Sequence, residues 1–162
     1  APNTPLYKDG KIFFCHGYNI NGVMLQLSDD LKSVSVVWRT DVLDTHHGGY
    51  VEVNGTIYGS NWINNNQGNW CAIDWNTGAK GYETTWTGGK GKGSIIAADG
   101  MLYCYDERRG AVALVNPDPA KFDIVSEFRI TKGVGPHWAH PVIVNGVLYI
   151  RHGFALMAYK VK

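Results

Sequence analysis

The chain has 162 residues, of which 44% are hydrophobic and 12% aromatic, a composition typical of globular proteins rather than disordered or fibrous ones. Fifteen lysines and arginines stand against fourteen aspartates and glutamates, with no long run of either sign, so the charge does not favour nucleic acid as a partner. No hydrophobic run approaches the roughly 18 residues of a membrane-spanning helix, so we do not expect the chain to span a membrane.

One short phrase occurs four times along the chain: LYKDGKIFF at 6–14, VEVNGTIYG at 51–59, IAADGMLYC at 96–104 and VIVNGVLYI at 142–150. Asp-Gly or Asn-Gly stands between two hydrophobic runs in each copy, which predicts a β-hairpin with a two-residue turn. The turn glycines are Gly10, Gly55, Gly100 and Gly146, at spacings of 45, 45 and 46 residues. A period of about 45 residues is typical of propeller blades.

A second repeated segment predicts a third strand after each hairpin: GVMLQLS from Gly22, GNWCAID from Gly68, GAVALVN from Gly110 and GFALMAY from Gly153. In the first three units a fourth strand is predicted to end at Trp38, Trp86 or Phe128. The fold class is therefore all-β, with four consecutive antiparallel four-stranded units, the last incomplete, at about 1–40, 44–88, 91–131 and 136–162. A two-sheet sandwich is the alternative, but it does not require so regular a period.

The second unit contains CAIDWNTGAKGYETTW at 71–86, in which Ala72, Asp74, Thr77, Gly78 and Trp86 form a repeat pattern. This pattern resembles the blades of pyrroloquinoline-quinone-type (PQQ-like) β-propellers, although Trp86 comes several residues later than usual. Complete rings of that family have about seven or eight blades. The resemblance therefore implies that this chain is the C-terminal half of a larger propeller. A half-ring exposes two blade faces, which predicts self-association through them.

Histidine, lysine and tryptophan occur just before the predicted first strands, as His46-His47, Lys92 and the run PHWAHP at 136–141. Counting back from the turn glycines makes His46 equivalent to His137, and His47 equivalent to Lys92 and Trp138. First strands of such propellers lie near the central channel, so repeat symmetry predicts that these residues meet at one funnel mouth. The predicted ligand-binding residues are His46, His47, Lys92, Trp138, His140, Arg151 and His152, with Tyr105 as a further contributor.

The expected ligand is anionic or rich in hydroxyl groups, because it would relieve repulsion among several imidazoles and an ammonium group. The alternative is that these side chains satisfy backbone groups and pack between blades. A histidine metal site is not favoured, since no carboxylate accompanies two histidines at a suggestive spacing. The segment NWINNNQGNW at 61–70 predicts either a carbohydrate- or peptide-binding loop, with Trp62 and Trp70 as stacking faces, or a solvated loop whose tryptophans pack on the blade.

Two classes of function remain open. In the first, the protein is a non-catalytic scaffold without a cofactor that binds a protein or a small polar ligand; the family resemblance then implies a bacterial protein in the periplasm or another extracytoplasmic space. In the second, it is part of a quinoprotein dehydrogenase that acts on alcohols or sugars with PQQ and calcium. Such enzymes carry a vicinal cysteine pair, whereas Cys15, Cys71 and Cys104 are not adjacent. The sequence favours the first class and assigns no catalytic residue.

Overall fold

A computed structural model describes residues 2–89 and 91–161 of the chain. The described residues form fifteen β-strands and no helix, so they contain no helix that could cross a membrane. The first sheet contains β1 (Leu6–Lys8), β2 (Lys11–Cys15), β3 (Gly22–Leu27) and β4 (Val34–Thr40). The second contains β5 (Tyr50–Val53), β6 (Thr56–Ser60), β7 (Trp70–Asp74) and β8 (Lys80–Thr84).

The third sheet contains β9 (Gly93–Ala98), β10 (Met101–Asp106), β11 (Ala111–Asn116) and β12 (Asp123–Arg129). The fourth has three strands, β13 (Val142–Val144), β14 (Val147–His152) and β15 (Ala155–Lys160). Strands follow one another in chain order within every sheet, and all paired neighbours are antiparallel. The predicted all-β architecture of four consecutive units, the last with three strands, is confirmed.

The four hairpin turns have the backbone conformation that the sequence predicts. Both central residues of each turn have positive φ, for example 51° at Asn54 and 83° at Gly55. This is the geometry of a type I′ turn, whose twist matches that of the flanking strands. The ends of the fourth strands differ slightly from the prediction: β4 and β12 extend just beyond Trp38 and Phe128, whereas Trp86 lies two residues past β8.

Three hydrophobic cores lie between consecutive sheets. Phe13 and Met24 of the first sheet pack with Ile57 and Ile73 of the second. Tyr58 and other residues of the second sheet pack against the third, in a core whose members include Trp70, Trp86, Leu102, Cys104 and Val115. A further core joins the third and fourth sheets through residues that include Tyr105, Val112, Leu148 and Ile150. Each sheet therefore packs on the next one in sequence, as propeller blades do.

One face of the fourth sheet is open. Val142, Val144 and Tyr149 lie on it, because Val142 pairs with Tyr149 and alternate residues of a strand share a face. The equivalent residues of the second sheet, Val51, Val53 and Tyr58, pack in the core against the third sheet. Positions that pack between blades elsewhere are therefore exposed here, and we call this surface the open face.

Candidate ligand site at the mouth of the blades

The polar residues of interest lie at one end of the sheets. In an antiparallel sheet, the start of the first strand, the end of the second and the start of the third lie at the same end. We call this end the mouth; it carries the segments before β5, β9 and β13 and the loops β2–β3, β6–β7 and β10–β11. The first strands lie close together, since β9 contacts both β5 and β6. The hairpin turns lie at the opposite end.

Five rings form a continuous row at the mouth. The ring centroids are separated by 4.9 Å between Trp62 and Tyr18, 4.6 Å between Tyr18 and His46, 5.0 Å between His46 and His47, and 5.5 Å between His47 and Trp138. Trp138 and Tyr18 remain 58% and 48% exposed. We call these five residues the aromatic row. It joins loops of the first and second sheets to the segment that enters the fourth.

Tyr18 has an unusual backbone conformation. Its φ is +60°, in the left-handed region that bulky residues rarely adopt, and Gly17, Asn19 and Asn21 also have positive φ. Such strain costs of the order of 1–3 kcal/mol and is found preferentially at functional sites. The loop is held from below by Asp44, whose Oδ1 accepts a 2.7 Å hydrogen bond from the Gly17 amide. At its tip, the Tyr18 hydroxyl lies 2.8 Å from His46 Nε2.

A buried ion pair lies beside the row. Lys92 is only 4% exposed, and its Nζ lies 2.7 Å from Glu107 Oε1. The same ammonium group donates to the carbonyl oxygens of Asn64 and Asn65, at 3.0 and 3.1 Å. A lysine ammonium has three N–H donors, so all three have acceptors within the protein. Lys92 thereby ties the β6–β7 loop to the third sheet.

Glu107 also contacts the row directly, because its Oε2 lies 3.1 Å from His47 Nε2. Burial acts to raise the pKa of Glu107, but hydrogen bonds from His47 and Lys92 outweigh it and hold that pKa below its usual value. The pKa of His46 is lowered by burial and by the neighbouring His47 and Lys92. The carboxylate is thus ionised at neutral pH, whereas the neutral form of His46 is favoured.

His140 joins the mouth from the segment before β13. Its Nε2 lies 2.8 Å from the main-chain oxygen of His47 and donates to it, since a carbonyl oxygen only accepts. A small cleft of about 280 Å³ opens between His140, His47 and the N-terminal segment 2–4. The structure therefore brings five predicted residues together: His46, His47, Lys92, Trp138 and His140.

His152 belongs to a separate buried cluster. Its ring stacks on His137 at a centroid distance of 3.7 Å, and its two nitrogens lie 2.8 and 2.7 Å from the carbonyl oxygens of Lys132 and Gly135. Tyr105 completes the cluster, with its hydroxyl 2.5 Å from His137 Nδ1. Burial, and secondarily His152, lowers the pKa of His137 to about 4. These contacts fix the segment that leads into the fourth sheet.

Arg151 lies on the other side of the same strand. It pairs with Leu156 on the open face, whereas His152 points towards the third sheet. Adjacent strand residues point to opposite faces, so Arg151 and His152 cannot share one pocket wall. The structure thus separates these two predicted residues from the aromatic row and from each other.

Three residues of the site were missing from the predicted set: Tyr18, Trp62 and Glu107. All three lie in loops between second and third strands, whose lengths vary between units. The sequence marks Trp62 only as one of two possible stacking tryptophans in its loop. Its companion, Trp70, is buried, donates from Nε1 to the Gly91 carbonyl oxygen at 3.1 Å and stacks on Phe122.

The donor groups of the mouth do not fit a calcium ion. Calcium requires several oxygen ligands, usually including carboxylates. The carboxylate that adjoins the row, Glu107, is already paired with an ammonium group that would repel a cation. Within residues 2–89 and 91–161, no group of three or more His, Cys, Asp or Glu side chains is arranged to hold a metal ion. The three cysteines are buried far apart in sequence and offer no vicinal pair to a quinone.

Comparison with known proteins gives matches in structure only. A scan against protein-family models and a search of curated proteins found no match. The crystal structure of BamB from Moraxella catarrhalis matches 99% of this chain with a TM-score of 0.71 at 13% identity, over 46% of its own length. A europium-containing methanol dehydrogenase matches 76% of the chain with a TM-score of 0.55 at 16% identity, over 23% of its own length.

The quinohemoprotein alcohol dehydrogenase ADHIIG from Pseudomonas putida HK5 matches 91% of the chain with a TM-score of 0.59 at 16% identity, over 28% of its own length. The chain thus spans about half the length of the BamB structure and about a quarter of the two dehydrogenases. At such low identity the likeness concerns the fold. The chain has the fold of PQQ-like β-propellers, as the repeat pattern predicts.

Proposed function

We propose that the protein is a non-catalytic PQQ-like β-propeller that binds a small polar ligand or a protein segment at the mouth. One observation supports this most directly: exposed rings from separate blades converge there, while the ionic groups beside them are paired with each other. Convergent aromatic and polar groups are typical of binding sites. The structural neighbours include both BamB and dehydrogenases, so they do not choose between binding and catalysis.

In this proposal the mouth residues have two different roles. Trp138, Tyr18 and His46 present ring surfaces to the ligand, while the Tyr18 hydroxyl and His46 Nε2 hold each other at 2.8 Å. Lys92 and Glu107 position His47 and the β6–β7 loop, since their charged atoms are occupied by protein partners. His140 fixes the main chain at His47. A ligand would therefore contact the row and leave the ion pair intact.

The proposal requires no cofactor. A dehydrogenase site at this mouth would need calcium and a quinone, and the donor chemistry described above fits neither. PQQ with calcium belongs only to the alternative function, that of a quinoprotein dehydrogenase. Supporting residues from elsewhere in a longer protein would be needed for that alternative.

The open face suggests a second kind of contact. Besides Arg151 it carries Val142, Val144 and Tyr149, and the equivalents of these three in the second sheet, and of two of them in the third, pack between blades. We infer that another blade covers it, either from a longer form of this chain or from a second copy, which would extend the four blades towards a ring of seven or eight. We also propose a bacterial, extracytoplasmic location such as the periplasm, on the family resemblance alone.

Titration of the full-length protein tests the proposal against its alternative. Addition of PQQ with calcium is expected to leave the visible spectrum unchanged, and methanol or glucose is expected to give no dye reduction. Hydrogen exchange measured with candidate peptides and small polar molecules is expected to reveal at least one that protects residues 16–21 and 61–69. A saturable quinone spectrum with substrate-dependent dye reduction would show that the alternative is correct.

A further inference from the structure

We propose that the aromatic row binds an uncharged oligosaccharide, which lies across the rings from Trp62 to Trp138. This inference rests on the proposed function, since it names the ligand class of the same mouth. The sequence alone predicts a ligand that is either anionic or rich in hydroxyl groups, and the inference selects the second of these two classes.

The shape of the row suits a chain of sugar rings. Four successive centroid separations of 4.6–5.5 Å carry it across the mouth, and neighbouring rings are inclined by 50–71°, so the row offers several separate ring faces and not one plane. A pyranose has an apolar C–H face and a rim of hydroxyl groups. Tryptophan and tyrosine offer broad apolar rings to that C–H face. Trp62 contributes only its ring, because its indole nitrogen is buried. The exposed rings of Tyr18 and Trp138 lie on either side of the two imidazoles, so both could be covered by one extended ligand.

The loop that follows Trp62 offers uncharged hydrogen-bonding groups. Asn65 and Asn66 are exposed in the loop that follows Trp62. Each amide side chain can both donate and accept hydrogen bonds, as each sugar hydroxyl can. A ligand with many hydroxyl groups can therefore be satisfied without a charged partner.

The charges at the mouth disfavour an anionic ligand. The ammonium of Lys92 has three protein acceptors, at 2.7, 3.0 and 3.1 Å, and is almost completely buried. An incoming phosphate or carboxylate would find no free N–H there and would face the ionised Glu107 behind His47. The exposed guanidinium of Arg108 is also in use, because it donates to the Asn66 carbonyl oxygen at 2.9 Å. The ammonium group of this buried pair is therefore not available to bind an anion at the row.

Calorimetric titration of the full-length protein with defined sugars tests the inference. The probes are glucose, and the hexasaccharides of β-1,4-glucose, α-1,4-glucose and β-1,4-N-acetylglucosamine, with hexagalacturonate as the charged comparison. At least one neutral hexasaccharide is expected to bind at least tenfold more tightly than glucose. Hexagalacturonate is expected to bind more weakly than that neutral hexasaccharide.

Two variants and a control locate the site. Trp138→Ala and Tyr18→Asn are each expected to weaken the hexasaccharide at least tenfold; asparagine tolerates the left-handed backbone of residue 18, so that variant removes the ring without adding strain. Tyr7→Asn removes an exposed tyrosine from β1, outside the row, and is expected to leave affinity within twofold. Circular dichroism confirms that each variant is folded.

The outcomes separate this inference from the broader proposal. If no neutral hexasaccharide binds, or if binding survives both row variants unchanged, the saccharide assignment is wrong. If hexagalacturonate or a peptide then binds in a way that depends on Trp138, the mouth is still a ligand site but of another class. If quinone and calcium bind instead, both this inference and the proposed function fail.

Discussion

Lys92 and Glu107 come from different mouth segments and form a buried ion pair with 2.7 Å between Nζ and Oε1. The pair is shielded from solvent on both sides, since the two side chains are only 5% and 7% exposed. Burial makes such a pair sensitive to the loss of one partner, because the remaining charge is left without compensation.

Lys92→Met is therefore expected to destabilise the protein by about 3–5 kcal/mol, measured by urea unfolding at pH 7. The double variant Lys92→Met with Glu107→Gln removes the uncompensated charge and is expected to recover part of that loss. Lys121→Met, which breaks the exposed pair with Asp123, serves as the control and is expected to have little effect. Equal effects of Lys92→Met and Lys121→Met would contradict the structural role of the pair.

The buried His137 predicts a pH-dependent stability. Its pKa falls from the usual 6.5 to about 4, so the unfolded chain binds a proton between these values when the folded protein does not. The contribution of neutral His137 to the free energy of unfolding is complete above pH 6.5. It is lost as the pH falls towards 4, and the loss is at most about 3 kcal/mol. Unfolding free energies of wild type and His137→Asn are compared from pH 4 to 7.5. The unfolding free energy of wild type minus that of His137→Asn is expected to grow as the pH rises from 4 to 6.5. A difference that stays constant would show that His137 does not cause the pH dependence.

Close packing of inner strands predicts a severe effect at Gly93. A Cβ atom at this position would lie 1.9 Å from the Tyr105 carbonyl oxygen, so backbone would have to move. Gly93→Ala is expected to cost about 3 kcal/mol or more. At Gly55 a Cβ would meet nothing within 4 Å, but φ is +83°, so Gly55→Ala is expected to cost only about 1–2 kcal/mol. Thermal or urea unfolding measures both, and a reversed order would contradict the packing.

The open face predicts association of the 162-residue chain. Hydrophobic residues at inter-blade positions favour a partner surface, so light scattering across a dilution series is expected to show self-association. Val144→Glu is expected to shift the equilibrium towards the monomer, because a carboxylate would be buried at the contact. Val125→Glu, at an exposed position of β12, is the matched control and is expected to have little effect. A chain that stays monomeric at all concentrations would exclude this mode of contact.

Much of the fold could be predicted from the sequence because the repeat carries local signals. Asp-Gly and Asn-Gly between alternating strands specify a type I′ turn whatever surrounds them, and the four turns have the expected positive φ values. The fixed spacing then indicates blades. Trp86 was expected to end the fourth strand of its unit, but β8 ends two residues earlier, at Thr84. Its ring packs against Trp70 in the core between the second and third sheets.

The site could be predicted only in part. Equivalence between units placed His46, His47, Lys92 and Trp138 at one end, because the count from turn glycine to strand start is constant. Tyr18, Trp62 and Glu107 lie in loops of unequal length, where no count applies. The Lys92 ammonium group bonds to Glu107 and to two carbonyl oxygens, and these contacts depend on the distances between sheets. Such distances arise from packing and not from the repeat.

The aromatic row also has a consequence for folding. Each hairpin can form from neighbouring residues, but contact between His47 and Trp138 requires the segments around the second, third and fourth sheets to have docked. Contacts between distant parts of a chain form slowly, since the intervening loop must first be closed. Recovery of ligand binding during refolding is therefore expected to lag behind recovery of β-structure, so the mouth would report the completion of assembly rather than the formation of individual blades.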